Sequence, residues 1–396
     1  MAVVAERQAV AEILRLLSGA NFGKQLTYGE VDELSTRFAN YLLHELKLKK
    51  GDRVALMMPN VLQYMIAIAG ILRAGMVVVN VNPLYTAREL EHQLKDSGAE
   101  AIIVLENFAS TLEQVIVRTN VRHVVLAAMG DMLGVKGLLV NFVVRNVRKM
   151  VPPFRLPTSE GRTVTHFNTV IAEGRRLPLK RPTLTPESVA FLQYTGGTTG
   201  VSKGATLLHR NVVANILQSQ AWFTPMLDKI GDKQIVIVCA LPLYHIFALT
   251  ACYMLGARQG MMNVLIANPR DIPGFIKVLK KYRVNMFPAV NTLFNALAHS
   301  PDIGQVDFSD LVISNGGGMA VQKATAEKWI KVTGCPVIEG YGLSETSPVV
   351  SSNFLNLEEF SGTIGYPLPS TAISIRSVEG EPLPVGEVQA PIRIEH

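Results

Sequence analysis

The 396 residues exceed what one hydrophobic core normally serves, so two or three packed subdomains are expected. Hydrophobic residues at 48% and charged residues at 18% leave room for a lipid-like ligand or a membrane surface, while a net charge of +6 suits anionic small molecules and is too diffuse for nucleic acid. Cys239, Cys252 and Cys335 lie far apart without CxxC pairing, which argues against a disulfide framework or a zinc site and for a reducing cytoplasm.

In residues 1–19, Glu6, Arg7, Glu12 and Arg15 interrupt the apolar run that an export signal needs. From Leu26 to about Leu179, helical and extended patterns alternate, as in a parallel sheet covered on both faces. Residues 31–46 read as an amphipathic helix, 52–58, 76–81 and 101–105 as buried strands, and 62–73 as a crossover helix. Two stretches without charge, 54–72 and 234–257, are long enough to span a bilayer. Pro59, Asn60 and Gln63 in the first, and Pro242, Tyr244 and His245 in the second, favour buried strands and loops instead.

Residues 132–151 mix apolar side chains with Lys136, Arg145, Arg148 and Lys149 before Pro152 and Pro153. This pattern fits a core-packing helix with a solvated basic edge, or contact with a lipid surface. Pro178, Pro182 and Pro186 then mark a connector and the expected subdomain boundary.

Residues 189–194 read as a strand that delivers the loop Tyr194-Thr-Gly-Gly-Thr-Thr-Gly-Val-Ser-Lys-Gly204, with 204–208 as the strand leaving it. Gly196, Gly197, Gly200 and Gly204 free backbone N–H groups to wrap a polyphosphate, Thr195, Thr198 and Thr199 add hydroxyls, and Lys203 adds a point charge. The loop departs from the common G-x-x-x-x-G-K-[ST] pattern, since Lys203 follows Ser202 and precedes Gly204. Asn211 is placed to cap a helix over 212–222, and strands are expected at 235–241, 284–287, 311–314 and 337–339.

Downstream, Glu339-Gly-Tyr-Gly-Leu-Ser-Glu-Thr346 offers Glu345 to the magnesium that a phosphate chain carries; the two segments together describe a site for ATP. Gly316, Gly317 and Gly318 fit either a tight turn or a bed for a flat purine, and Tyr341 either a core ring or one stacked on that purine. His245 fits a hydrogen-bonded core residue or a group beside a ligand. Past Phe360 the pattern turns to short strands with Gly and Pro, as in a small β subdomain.

The loop at 194–204 resembles the phosphate loop of the acyl-adenylate-forming superfamily, also called the AMP-binding or ANL family. Leu241-Pro-Leu-Tyr-His-Ile-Phe247, Asn315-Gly-Gly-Gly318, residues 339–348 and Gly362-Thr-Ile-Gly-Tyr-Pro-Leu-Pro369 follow in that family's order. Gly196, Asn80-Val-Asn-Pro-Leu-Tyr85 and Asn268-Pro-Arg-Asp-Ile-Pro273 are similar to bacterial long-chain fatty-acid CoA ligases, and the resemblance covers roughly residues 26–388.

It implies the large N-terminal domain of the ANL fold: two doubly wound α/β subdomains, 1–179 and 180–360, the second carrying the ATP and acyl sites, then a partial β subdomain with an aberrant tail at 361–396. It implies Thr195 and Glu345 as Mg2+ ligands, and Gly196, Gly197, Thr198, Thr199, Gly200 and Lys203 on the phosphates. Gly316, Gly317, Gly318, Glu339, Gly340, Tyr341, Gly342 and Thr346 fall around the nucleotide, and His245 beside the acyl carboxylate. A carboxylate is already ionised at neutral pH, so no general base is needed there. Apolar lining for an acyl chain is expected around 241–255 and 287–297, whereas His209, Arg210 and Trp222 read as structural.

The implied reaction joins a long-chain fatty acid, ATP and CoA into acyl-CoA, with AMP and pyrophosphate released, in the cytoplasm and with peripheral contact at the cytoplasmic face of the inner membrane. The resemblance leaves room for a homodimer. Two departures stand out. The family continues for a mobile C-terminal domain of about 110 to 130 residues, a common small-domain size, with a ribose-binding aspartate, a hinge and a lysine. Here residues 389–396 replace an expected Gly-Glu-Leu continuation, so truncation or a shifted reading frame is expected, with weakened adenylation and almost no transfer to CoA. The rival readings are a non-catalytic protein that binds fatty acid or nucleotide, and a ligase for another carboxylic acid.

Overall fold

The structure is a computed structural model that describes residues 15–158, 161–195, 201–377, 379–384 and 386, and the backbone of 392–395. Among these the strands build a seven-stranded sheet, a nine-stranded sheet and a two-stranded ribbon, so the α/β expectation holds.

The seven-stranded sheet runs in the order Thr163–His166, His123–Ala127, Ala101–Leu105, Arg53–Met57, Val77–Asn80, Val189–Thr195, Lys203–Leu208. Every neighbour is parallel except the last pair, a hairpin in which Thr195 faces Lys203. Helices shield the inner strands, which is why Ala101–Leu105 and Val77–Asn80 are buried throughout and read as unbroken apolar runs. Leu62–Arg73, the expected crossover helix, is buried nearly all round, with only Ala69, Leu72 and Arg73 reaching partial exposure.

The nine-stranded sheet runs in the order Tyr366–Pro367, Val349–Ser352, Val337–Gly342, Ile313–Gly316, Met286–Ala289, Val236–Cys239, Met262–Leu265, Leu17–Asn21, Lys24–Thr27. It is parallel from Val337–Gly342 through Leu17–Asn21 and antiparallel at both margins. The ribbon pairs Ala372–Ile375 with Ile392–Glu395.

Sheet membership does not divide the chain at 179/180. The hairpin of 189–208 completes the first sheet, because Val78 pairs with Phe191, while Leu17–Asn21 crosses to the second sheet and pairs with Met262–Leu265. Pairing partners far apart in sequence decide membership, and a linear reading of punctuation does not see them. Likewise Tyr366–Pro367 extends the second sheet rather than joining the ribbon.

Two local expectations need correction, and a third holds. The helix expected over 212–222 spans His209–Leu227, with Asn211 at its third position; its Oδ1 accepts from the Leu208 N–H (3.1 Å), so it steadies the helix start from inside. Residues 132–151 form Val135–Phe142, which passes into a π-helical turn, Val143–Val147; only Gly137 and Val144 of these two elements are buried, so the core-packing alternative fails. The stretches 54–72 and 234–257 are strands, loops and short helices, and among the described residues no helix is long and apolar enough to cross a membrane.

Candidate active site

The loop at 194–204 leaves the edge of the first sheet, and a helix beside it fixes its base. Thr86 and Glu89 cap the start of Ala87–Ser97 reciprocally, and Gly98 ends it in the left-handed conformation (φ 61°). From its inner side the Gln93 amide donates to Asn80 O (2.8 Å), Asp96 accepts from the Tyr194 hydroxyl (2.6 Å), and the His92 ring meets Ser202 O (2.8 Å). The nearby carboxylate and burial together push the Tyr194 phenol up, so it stays a neutral donor. Gly204 lies flat on the Tyr194 ring, where a Cβ would come within 2.9 Å of it.

The two sheets meet through polar side chains. The Asn60 amide donates to Cys239 O (2.9 Å) and Leu241 O (2.8 Å), and its oxygen accepts from Leu243 N (2.8 Å). Gln193 accepts from Asn80 (3.0 Å) and donates to Tyr244 O (2.7 Å). Gln193 ties the 241–245 segment, and hence His245, to the strand that carries Thr195, and Asn60 anchors the same segment to the loop that follows Arg53–Met57. In the sequence Asn60 served only as an argument against a membrane span.

A cleft of about 730 Å³ opens where the sheets face each other. Its polar lining comes from Thr195, Asn315, Gly317, Gly318, Gly340, Tyr341, Gly342, Ser344 and Glu345. The turn Ser344–Thr346 packs against the ends of both hairpin strands, which brings Glu345 to the side of the cleft where Thr195 stands. Gly318 needs its positive φ of 77°, and a Cβ on Gly342 would lie 2.2 Å from Pro348 O, so these two glycines are dictated by the backbone.

The apolar wall is made by Phe223, Leu241, Ile246, Phe247, Ala248, Ala251, Val290 and Leu368, with Phe247 and Val290 beside Gly317 and Gly318. Trp222 completes the wall: its indole N–H donates to Asn353 O (3.1 Å), and it stacks on Phe354 (5.3 Å, 10°), which in turn meets Tyr366 (4.7 Å). Trp222 is therefore a lining residue, which its lone position in the sequence did not suggest. Of the expected 287–297 lining only Val290 reaches the cleft. Ser219 also lines the cleft, its hydroxyl unpartnered among the described residues.

His245 also lines the cleft, its ring tilted against Tyr244 (4.7 Å). It reaches solvent inside the cleft, yet the surrounding walls desolvate it and hold its pKa below the ordinary imidazole value. It is neutral at neutral pH.

Several expected site residues lie elsewhere. Glu339 is buried, accepts from Val321 N (2.9 Å) and, desolvated, has its pKa raised; it braces the 316–321 loop without lining the cleft. The Thr346 hydroxyl is consumed by its own turn, accepting from Leu343 N (3.0 Å) and donating to Leu343 O (3.0 Å). Gly316 makes room for Val321 and Val337, which a Cβ would approach to 2.7 and 2.9 Å. Lys203 is exposed on the rung opposite Thr195 and is not in the lining. Gly196, Gly197, Thr198, Thr199 and Gly200 lie outside the described residues.

The AMP-binding enzyme family matches residues 2–390. The chain belongs to that family. It is 52% identical over 368 residues to a long-chain-fatty-acid CoA ligase of Yersinia pestis, which covers 93% of this chain and 64% of the relative. It is 51% identical over 381 residues to one of Escherichia coli O6:H1, covering 96% and 66%. A 4-coumarate CoA ligase of Petroselinum crispum is more distant, 27% identical over 85% of this chain. The chain thus spans about two thirds of the length of the bacterial relatives. Among solved structures, an anthranilate CoA ligase with anthranoyl-AMP superposes with a TM-score of 0.78 at 21% identity, covering 94% of this chain and 65% of the other. A long-chain-fatty-acid CoA ligase from Archaeoglobus fulgidus gives 0.76 at 23%, covering 96% and 72%. The fold is that of the adenylate-forming ANL ligases.

Proposed function

We propose that the cleft activates a long-chain fatty acid with ATP, as the first half of an acid–CoA ligase reaction. What carries the reading is a single cleft whose lining combines nucleotide-type polar groups with a wall of apolar side chains. The identity of about half to bacterial long-chain-fatty-acid CoA ligases supports the same substrate class.

In this reaction a carboxylate oxygen attacks the α-phosphorus of ATP; the new P–O bond forms as the bond to the pyrophosphate bridging oxygen breaks, and pyrophosphate leaves with the electron pair. No proton moves. The protein's task is to hold anions together in line and balance their charge. Gly317, Gly318 and Gly340 offer flat backbone to the adenine, with Tyr341 beside it. The apolar wall takes the hydrocarbon and excludes water. Neutral His245 lines the same cleft, positioned to hydrogen-bond the carboxylate without acting as a base. In the second half the CoA sulfur takes the acyl group, AMP leaves and the thiol proton is lost.

The hydroxyl of Thr195 and the carboxylate of Glu345 are two hard oxygen donors in one cleft, a set that fits Mg2+ completed by phosphates and water. Among the described residues no group of three or more acidic, histidine or cysteine side chains forms a metal cage. The ion would be held jointly with the nucleotide and would supply charge neutralisation at the phosphates. A cytoplasmic setting, peripheral membrane contact and a homodimer belong to the same proposal.

The test is calorimetric binding of ATP with Mg2+ and of a long-chain fatty acid to the 396-residue chain, with pyrophosphate exchange measured in parallel. Saturable binding of both, lost from the nucleotide side in Glu345→Ala, is expected; failure to bind fatty acid would overturn the reading.

A further inference from the structure

The helix Val135–Phe142 shows solvent a face that a helix normally hides. Val135, Leu138, Leu139 and Phe142 recur at i, i+3, i+4 and i+7, the spacing of one helical stripe, and each is between 58% and 86% exposed. The π-helical turn that follows adds a residue to the repeat, so Val147, at 64% exposed, continues the stripe five positions after Phe142. Met150 extends the exposed apolar surface.

The opposite side of this element is firmly seated. Gly137 packs so closely on Gly130 that a Cβ would lie 2.0 Å from the Gly130 carbonyl oxygen. Asn141 accepts from Gly130 N (2.6 Å), Asn107 donates to Met150 O (3.0 Å), and Arg145 makes a bidentate pair with buried Glu106 (2.7 to 3.0 Å). The stripe is therefore a fixed outer face, and among the described residues nothing covers it.

Charge selects the occupant. Lys136, Arg148 and Lys149 are exposed and pair with no carboxylate among the described residues, and the sequence holds no Asp or Glu from Met132 to Ser159. An exposed apolar stripe accompanied by unpaired cations matches an interface of acyl chains beneath anionic headgroups.

We infer that residues 135–150 are the surface by which this protein lies on an anionic lipid bilayer, with Leu138, Leu139 and Phe142 entering the acyl boundary and Lys136, Arg148 and Lys149 meeting lipid phosphates. The inference rests on the ligase reading only for its expectation of membrane contact, and vesicle binding requires neither nucleotide nor turnover, so the two fail separately.

The experiment is co-sedimentation of the 396-residue chain, without ATP, with phosphatidylcholine vesicles lacking or containing phosphatidylglycerol. Binding is expected on the anionic vesicles and should weaken with added salt. Leu138→Gln with Leu139→Gln and Phe142→Gln should lower the partition coefficient by at least about tenfold. Lys136→Ala with Arg148→Ala and Lys149→Ala should lower it by about a hundredfold on anionic vesicles alone. An unchanged unfolding midpoint would show that either set of exposed substitutions leaves the fold intact. Wild-type protein that ignores anionic vesicles, or variants that bind as wild type does, would overturn the inference. So would a concentration-dependent dimer that the apolar variant dissolves while vesicles go unbound, since the face would then be an interface between copies.

Discussion

The polar lining of the cleft comes mostly from short runs at strand ends, Asn315, Gly317 and Gly318 in one and Gly340 to Glu345 in the other, whereas the apolar wall collects Ser219, Trp222 and Phe223 from one helix, side chains between Ile246 and Ala251 from another segment and Val290 from a third. On the proposed function the difference follows from what each set of residues would meet. Backbone N–H groups and small residues meet phosphate and purine only where the chain itself turns, so those residues are neighbours in sequence. A hydrocarbon is met by side chains from any direction, and their spacing is that of ordinary core.

The sharpest way to separate the two sets is Glu345→Ala or Thr195→Ala. Pyrophosphate exchange should fall by about 10²-fold or more, as when charge-balancing groups are removed from other active sites, with fatty-acid binding nearly unchanged. Equal loss of fatty-acid affinity would mean that the two sets are not independent.

Asn60→Ala attacks the joint between the sheets. Two carbonyls and one N–H would lose their buried partner, and the stability measured by urea unfolding should drop by about 2–4 kcal/mol. Ala251→Phe acts on the apolar wall alone: by filling space it should cut activity on the longest acids by about tenfold relative to shorter ones, in a chain-length series.

The smallest effect concerns pH. Desolvation holds His123, His209 and His245 below the ordinary imidazole range, so the native state keeps them neutral. As pH falls through about 6.5 the unfolded imidazoles take up protons first, and stability declines with acidification. His245→Gln should flatten this acid limb slightly in urea titrations, while leaving the behaviour above neutrality unchanged.

The same contrast decides what was legible in the residues alone. Thr195, Gly317, Gly318, Tyr341 and Glu345 announce themselves through composition within a few positions, and the structure gathers them in one cleft. Glu339 and Thr346 lie in the same run but turn away to brace Val321 and the turn at Leu343, because proximity along a chain does not fix which way a side chain faces. Trp222 sits alone in a helix whose faces carry no contrast strong enough to mark it, and its meaning appears only when Asn353 and Phe354 arrive from 131 and more positions away. Sheet membership was illegible for a similar reason: Val78 and Phe191 are partners across two strands, and no turn residue between them says so.

Gln193 spans the division. Two positions before Thr195, it grips Asn80 with one end of its amide and the Tyr244 carbonyl with the other, so the rod bearing the phosphate loop and the platform bearing His245 share a single rigid strut. Under the proposed function, a shift transmitted through this strut would couple the two substrates, and reciprocity makes any such coupling equal in both directions.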